Sequence, residues 1–263
     1  MKFFNLITTA FILISFETRA DIFSQTFGDD TPDRGQVIVE RPVDITGSYK
    51  ERRGTHGGLF SINYEKYNPL DYASQFLNGG YIENITSSTQ IDLVSGELGY
   101  KNNFKLGSAA ILLGYARGSS SPSGDASMNK DRKLTLARTS LSANFALDAI
   151  FDEPYLVPYV QGGIYHFNVT EKKAADTLSA TSDYAFNYRF GVLFQLNWIE
   201  TAIDSSTQTD GLRSSGLQNT YIDIYYVDHL AASGATDPAV ANSNGTVNMR
   251  SAGELGVGLK IEF

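Results

Sequence analysis

The chain closes with the stretch GELGVGLKIEF, residues Gly253–Phe263. Apolar and small or charged residues alternate strictly along it. Successive side chains of a β-strand point to opposite faces, so this alternation predicts a strand with one apolar and one polar face. Whether the apolar face points inward to a core or outward to lipid decides the fold. The apolar residues are Leu255, Val257, Leu259, Ile261 and Phe263.

The same alternation recurs upstream in segments of about ten residues or more, the length of a tilted strand that crosses a membrane. Counting the last strand, eight such segments are predicted. The seven upstream segments are LFSINYEKY, IDLVSGELGYK, GSAAILLGYA, LTLARTSLSANFAL, YLVPYVQGGIYHF, YAFNYRFGVLFQLNW and NTYIDIYYV.

The polar faces of these segments decide between a water-soluble sandwich and a barrel. They consist of Gly, Ser, Asn and Ala with isolated charges. The solvent face of a sandwich is rich in long polar side chains, whereas the interior of a small barrel has little room. The sequence therefore predicts an all-β fold: an eight-stranded antiparallel transmembrane β-barrel with up-and-down topology. A count of ten strands stays open.

Connection lengths are a second indicator of a barrel, since outer-membrane barrels have long external loops and short periplasmic turns. Long connections are predicted at Asn68–Gln90, Gly118–Arg132, Asn168–Asp183 and Asp228–Met249, and short ones at KNNFKLG and DAIFDEP. The stretch 199–219 departs from this pattern, because a short turn is expected there.

The N-terminus divides the chain into three parts. Residues 1–20 predict a signal peptide, with Lys2, an apolar run and Ala20 before the cleavage point. Residues 21–56 form a leader for which a periplasmic tail, a plug and an extra strand remain open. Residues 57–263 form the barrel. The chain has no cysteine and a net charge of −8, which excludes a disulfide framework and disfavours a nucleic-acid partner.

The final strand resembles the C-terminal β-signal of bacterial outer-membrane proteins. The hairpin LDAIFDEPYLVPYVQGGIYHF is similar to the central hairpin of small OmpA-like and OmpW-like barrels. This resemblance implies localisation in the bacterial outer membrane and contact with its lipids. It also implies recognition by the barrel-assembly machinery, with an assembly signal at Leu255, Val257, Leu259, Ile261 and Phe263.

Two sets of side chains are predicted to have structural roles in the barrel. Aromatic residues near strand ends should form girdles at the membrane–water boundary: Tyr64, Tyr67, Tyr100, Tyr115, Phe186, Tyr188, Trp198, Tyr226 and Phe263. Inward charges need partners when they leave bulk water. They are predicted to form a lumenal ion-pair network of Arg138, Arg189, Asp223 and Glu254, with Glu97 and Lys260 lower down.

Nothing in the sequence indicates catalysis, a metal or a cofactor. The run YHFN around His166 lacks the serine of the His-x-Ser pair in lipid A deacylase barrels, and the adjacent Asp228 and His229 point to opposite faces of a strand. The prediction is a monomeric, non-enzymatic surface or structural protein with a charge-plugged lumen, whose external loops contact a ligand. A narrow porin-like channel is the alternative, and a lipid A-modifying hydrolase is a weaker one.

Overall fold

The computed structural model describes residues 48–70, 91–120, 132–196, 217–232 and 247–263, all within the compact unit Asp44–Phe263. This part of the chain is almost entirely β-structure, and it has no helix long and apolar enough to span a membrane. Its elements are one short helix, α1 (Tyr49–Arg52), and the strands β1 (His56–Tyr67), β2 (Ile91–Phe104), β3 (Gly107–Ser120), β4 (Arg132–Ala146), β5 (Leu156–Lys173), β6 (Asp176–Thr181), β7 (Ala185–Gln195), β8 (Asn219–His229) and β9 (Glu254–Glu262).

The strands close into an antiparallel barrel. Each wall strand pairs with its neighbours in the sequence, and β1 pairs with β9 to complete the ring. β7 pairs with the first part of β5, and β6 pairs with the last part of β5. β6 and β7 therefore occupy the same place in the ring, one after the other along the length of β5. The predicted eight-stranded, up-and-down barrel is therefore confirmed.

One predicted loop is a strand pair. The segment Asn168–Asp183, expected to be a long connection, instead extends β5 to Lys173 and returns as β6. Its turn contains Ala174 with φ of 51°, a conformation that hairpin turns usually assign to Gly or Asn. An Ala-Ala turn between two largely polar strands carries neither a turn signal nor an alternating pattern, which explains why it was missed.

The apolar faces of the strands point out of the barrel. On β3, Ile111 is 63% exposed while its neighbour Leu112 is 1% exposed. On β1, Phe60 and Ile62 lie outside while Ser61 is buried. A water-soluble barrel has the opposite arrangement, so this outer surface matches lipid and the barrel spans a membrane.

Aromatic side chains lie at both ends of this outer surface. Tyr100 and Phe263 are exposed at the end that carries the short turns, hereafter the inner end. At the other end, hereafter the outer end, the Tyr64 hydroxyl donates to Asp92 at 2.6 Å and the Tyr188 hydroxyl to Asp228 at 2.8 Å. Tyr115, Phe186 and Tyr226 also face outward in the outer half, while Trp198 lies outside the described residues.

Tyr67 was wrongly assigned to the outer girdle. Its ring is fully buried inside the barrel, and its hydroxyl donates to the carbonyl oxygen of Met249 at 2.5 Å. Tyr64 faces lipid, and a residue three positions further along a strand must face the other way. A position at a strand end does not by itself place a ring in the girdle, because the alternation of the strand decides whether the ring faces lipid or lumen.

Two glycines of β9 leave room for large inward side chains. A Cβ atom added to Gly256 would lie 2.2 Å from the ring of Tyr225, and one added to Gly258 would lie 2.2 Å from Oδ1 of Asn63 and 2.9 Å from the carbonyl oxygen of Ile62. These positions cannot accept a side chain without a shift of their neighbours. The small residues of the predicted polar face thus leave space for the bulky side chains that cross the lumen.

The outward assignment of β9 makes a depth-dependent prediction. Leu259 lies at the middle of the apolar row Leu255–Phe263, so Leu259→Arg should lower the free energy of unfolding by about 2–4 kcal/mol. Leu255→Arg, next to the outer rim, should cost only about 0–1 kcal/mol. Urea titration of the barrel refolded in phosphatidylcholine vesicles measures both, and equal costs would contradict the assignment.

Candidate functional site: a filled lumen

The inner end of the lumen is occupied by Tyr49 of α1. Its side chain is 1% exposed, and its hydroxyl donates to Glu262 at 2.9 Å and accepts from Lys101 at 3.0 Å. Lys101 also pairs with Glu262 at 2.6 Å and with Asp148 at 2.7 Å. Burial, followed by the charge of Glu262, raises the pKa of the Tyr49 phenol far above its usual value, so the hydroxyl remains a neutral donor.

α1 is attached to the barrel by further contacts. Arg53 pairs with Asp148 at 2.8 Å, and the Tyr49 backbone N–H donates to the Glu153 carboxylate at 2.8 Å. This end of the predicted leader therefore lies against the inner end of the lumen. The predicted signal peptide and the leader as far as residue 47 lie outside the described residues.

The middle of the lumen contains two charged groups side by side. Glu97 accepts from Arg189 at 3.2 Å, from Gln161 at 3.2 Å and from Ser61 at 3.1 Å. Asp223 accepts from the Tyr159 hydroxyl at 2.8 Å and lies 3.9 Å from Lys260.

Both cations of this middle level also lie over aromatic rings. The Arg189 guanidinium is 4.1 Å from the centre of the Tyr225 ring, and the Lys260 ammonium is 4.4 Å from that of Tyr159. Cation–π contacts of this kind gain strength where water is excluded. Each cation thus has both an anion and a π-face close to it.

The outer part of the lumen holds a buried ion pair beneath an apolar cluster. Arg138 pairs with Glu65, and its Nη1 atom lies 2.5 Å from Nε2 of His229. The rings of Tyr67 and Tyr165 pack edge-on against His229, with centroids 5.4 and 5.1 Å away. Ile91, Leu93, Leu134, Leu136, Phe167 and Val169 belong to the same buried cluster.

A segment of the β8–β9 connection closes the outer end. Val247 and Met249 are 0% and 1% exposed and belong to the apolar cluster. The Met249 carbonyl accepts hydrogen bonds from the hydroxyls of Tyr67 and Tyr165, and the Val247 N–H donates to the Thr181 carbonyl at 3.1 Å. Residues 247–251 therefore form a roof that is bonded to the strands below it.

The residues of the predicted network all face inward, but the structure does not join them into one group. Arg138 pairs with Glu65, Arg189 with Glu97, and Asp223 with Lys260 and Tyr159. Glu254 accepts from the Asn68 backbone N–H at 2.5 Å and forms no ion pair among the described residues. Glu97 and Lys260 lie at the level of Arg189 and Asp223, in the middle of the lumen, and Arg138 lies further out.

Sequence reasoning missed several lumenal partners. Glu65 was not predicted as the partner of Arg138. Lys101, the last residue of the predicted segment IDLVSGELGYK, was not among the predicted inward charges although it continues the inward row of Glu97 and Gly99. For Lys101 the alternation was a usable signal. For Tyr49 there was none, because α1 lies outside every periodic segment.

The hydrogen bonds of the histidines show which ring nitrogens are donors and which are acceptors. A guanidinium has only donors, so Nε2 of His229 must accept from Arg138 and Nδ1 must carry the proton. Nδ1 then donates to the Ser251 hydroxyl, 3.1 Å away, and His229 cannot take the serine proton as a general base. His56 contacts the hydroxyl of Tyr100, and His166 lies beside the Tyr184 ring.

No group of three or more His, Cys, Asp or Glu residues in the described part of the chain is arranged to hold a metal ion. The features that define the molecule are thus a closed antiparallel ring, an apolar outer surface with aromatic ends, and an interior of paired charges. Together they define an integral β-barrel of the bacterial outer membrane, in the small, eight-stranded class.

Solved structures of small barrels resemble the chain at low identity. They include the N-terminal barrel domain of Pseudomonas aeruginosa OprF (14% identity, 79% of this chain and 99% of that one, TM-score 0.39) and Neisserial surface protein A (12%, 80% and 98%, 0.43). Ail of Yersinia pestis is a third (12%, 79% and 97%, 0.41). No family model and no curated protein matches the sequence. The class is accordingly defined by the chain's own pairing and outer surface.

The Glu65–Arg138 pair yields a prediction about stability. Glu65→Leu leaves the Arg138 charge buried without its anion and should cost about 3–5 kcal/mol of unfolding free energy. The double variant Glu65→Leu/Arg138→Met removes both charges and should recover most of this loss. Urea titration in vesicles compares the two, and a double variant as unstable as the single one would contradict the pairing.

Proposed function

We propose that the protein is a non-conducting, non-enzymatic outer-membrane barrel that acts at the cell surface through its external segments. The observation that carries this proposal is that side chains fill the lumen at its inner end, its middle and its outer end. A barrel of eight strands has an interior just wide enough for side chains to fill. Such a lumen favours a structural scaffold over a pore.

The energetics of the lumen support a permanent plug. Arg138, Arg189 and Lys101 are each at most 3% exposed, and each lies against a carboxylate. Separating such pairs without water would cost several kcal/mol for each uncompensated charge. An ion crossing the barrel would have to displace these pairs one after another, as well as Tyr49 and the roof 247–251.

The external contact surface is assigned to the outer end of the barrel. The described residues 70, 91, 120, 132, 232 and 247 lie at the outer end, and the connections between them, 71–90, 121–131 and 233–246, lie outside the described residues. The β5–β6 hairpin extends the barrel wall at this end, and most of β6 is solvent-exposed. We propose that this hairpin and the neighbouring connections present the surface that an external ligand would contact.

The remaining partners follow from the outer surface of the barrel. Lipids cover the outward apolar rows, and the outward row of β9 serves as the signal for the assembly machinery. The charged side chains described above point into the lumen, so the outer surface between the aromatic ends is apolar. Such a surface is compatible with a monomer. The aromatic ends anchor the barrel at the two membrane boundaries.

A narrow conduit is the alternative function, and one observation favours it. Several buried polar atoms make no hydrogen bond with the described residues, among them Lys260 Nζ, Arg189 Nε and Glu65 Oε2. Buried polar atoms commonly bind ordered water. A chain of such waters would give a path through the middle of the lumen. A lipid A-modifying hydrolase has less support, because Asn168 follows His166 where the deacylase pair has its serine.

Conductance in planar bilayers tests the plug. The wild-type barrel should give no steps. Arg189→Ala should give small discrete steps, since it removes the side chain that pairs with Glu97 and covers Tyr225 in the middle level. Arg117→Ala is the matched control, because Arg117 faces outward and its loss leaves the lumen unchanged.

Two results would contradict the proposal. Regular conductance steps from the wild-type barrel would show that the lumen is an open channel and not a plug. Equal steps from the Arg117 and Arg189 variants would show that conductance does not depend on the lumenal pair. Mass spectrometry of lipid A from cells with and without the protein tests the hydrolase alternative, and a changed acyl pattern would support that alternative.

A further inference from the structure

The outer rim of the barrel has a basic side. Four cationic residues lie outward and exposed near the outer ends of the strands β1, β3, β4 and β5. The outward faces of β7, β8 and β9 carry no Lys or Arg. We call the four residues the basic strip: Lys66, Arg117, Lys133 and Lys172.

The upper part of the strip places two like charges opposite each other. Lys133 of β4 pairs in register with Lys172 of β5, and both side chains are exposed on the outward face. Like charges directly opposite each other across antiparallel strands destabilise the pair. No residue of the strip forms an ion pair with a described residue. An anion between the two ammonium groups would turn this repulsion into attraction.

The lower part of the strip lies at the edge of the apolar surface. Lys66 and Arg117 each follow a tyrosine by two residues on the same face, Tyr64 and Tyr115. Asp92 lies opposite Lys66, but its carboxylate accepts the hydroxyl proton of Tyr64. Both cations therefore come directly after the outer aromatic residues, where lipid headgroups begin.

The height of the upper part of the strip matches a layer of headgroups. A tilted strand rises roughly 2.6 Å per residue along the membrane normal. Lys172 is twelve residues beyond Val160, which pairs with Phe145 at the inner aromatic end, so it lies roughly 31 Å above that end. The apolar band of such barrels is about 25 Å tall. Lys133 and Lys172 thus lie just outside the hydrocarbon, within the headgroup layer.

We propose that the basic strip binds the phosphate groups of a lipid in the outer leaflet, on one side of the barrel only. Lysine and arginine near a membrane surface are attracted to anionic headgroups. Arginine offers paired donors to phosphate, and lysine a compact charge. The outward strand faces of β7, β8 and β9, with Asp228 near the outer end of β8, lack these donors, so the lipid would orient the barrel relative to its neighbours in the membrane.

Titration with diphosphorylated lipid A, followed by native mass spectrometry of the refolded barrel, tests the proposal. The variants K66Q/R117Q and K133Q/K172Q should each raise the apparent Kd by about fivefold per cation removed. The matched control K105Q removes a lysine from an exposed turn at the inner end and should leave the Kd within about twofold. Dephosphorylated lipid A should bind the wild type, the two double variants and K105Q with the same affinity.

The pair of Lys133 and Lys172 adds a second test, in which lipid A should reverse the direction of the stability change. In vesicles of phosphatidylcholine alone, K172Q should raise the thermal unfolding midpoint, since it removes the repulsion with Lys133. In the presence of diphosphorylated lipid A the same variant should be less stable than the wild type. The heat-dependent shift of the folded barrel on gels verifies that each variant is assembled.

Three outcomes would overturn the proposal. Double variants that bind diphosphorylated lipid A as tightly as K105Q would remove the strip as a binding site. Equal loss of affinity for the dephosphorylated lipid would show that phosphate is not recognised. Binding of soluble inositol hexakisphosphate as tight as that of the lipid would show that the strip takes free polyanions instead of a membrane lipid.

Discussion

Closure of the backbone hydrogen-bond network is the constraint on which the rest of the molecule depends. Hydrocarbon offers no partner for a backbone N–H or C=O, so a sheet that crosses a membrane must have no open edge. The pairing of β1 with β9 satisfies this requirement and continues beyond β9, where Gly58 and Phe263 exchange hydrogen bonds of 2.5 and 3.1 Å. Once the ring is closed, the two-residue period of each strand assigns every side chain to lipid or lumen.

The content of the lumen follows from that assignment. Each inward row combines small residues with long polar ones, and the small residues accommodate the long ones of the neighbouring strand. Gly114, for example, faces Ser140 and the stem of Glu97, where a Cβ atom would lie 2.5 and 3.4 Å away. Three levels of charged or aromatic contacts result, held by Tyr49 and Lys101, by Arg189 and Glu97, and by Arg138 and His229. The same filling that stabilises the ring is the basis of the proposal that the lumen does not conduct.

The fold was largely predictable, because its decisive property is periodic. Alternation in GELGVGLKIEF and its seven counterparts predicted the outward rows, the eight walls and the inward position of the charges. The hairpin at Ala174 was not predicted, since its strands are largely polar and its turn lacks Gly and Asn. Tyr67 was misplaced only because the alternation was not applied to it.

The partners within the lumen were predictable only in part. Arg138 and Glu65 lie on β4 and β1, and their contact depends on the tilt and stagger of strands that a single strand's pattern does not contain. Tyr49 comes from outside the periodic segments altogether. Residue type and facing can thus be predicted from the sequence, whereas the choice of partner across the lumen depends on the closed three-dimensional arrangement.

The most direct test of the account is a scan of β7 with single cysteines, which the cysteine-free chain allows without background. Each residue of Ala185–Gln195 is replaced in turn, spin-labelled and measured in vesicles for collision with oxygen, which concentrates in lipid. The account predicts a period of two, with high collision rates at Phe186, Tyr188, Phe190, Val192 and Phe194 and low rates between them. Rates that vary smoothly along the strand, or that peak at Arg189 and Leu193, would contradict it.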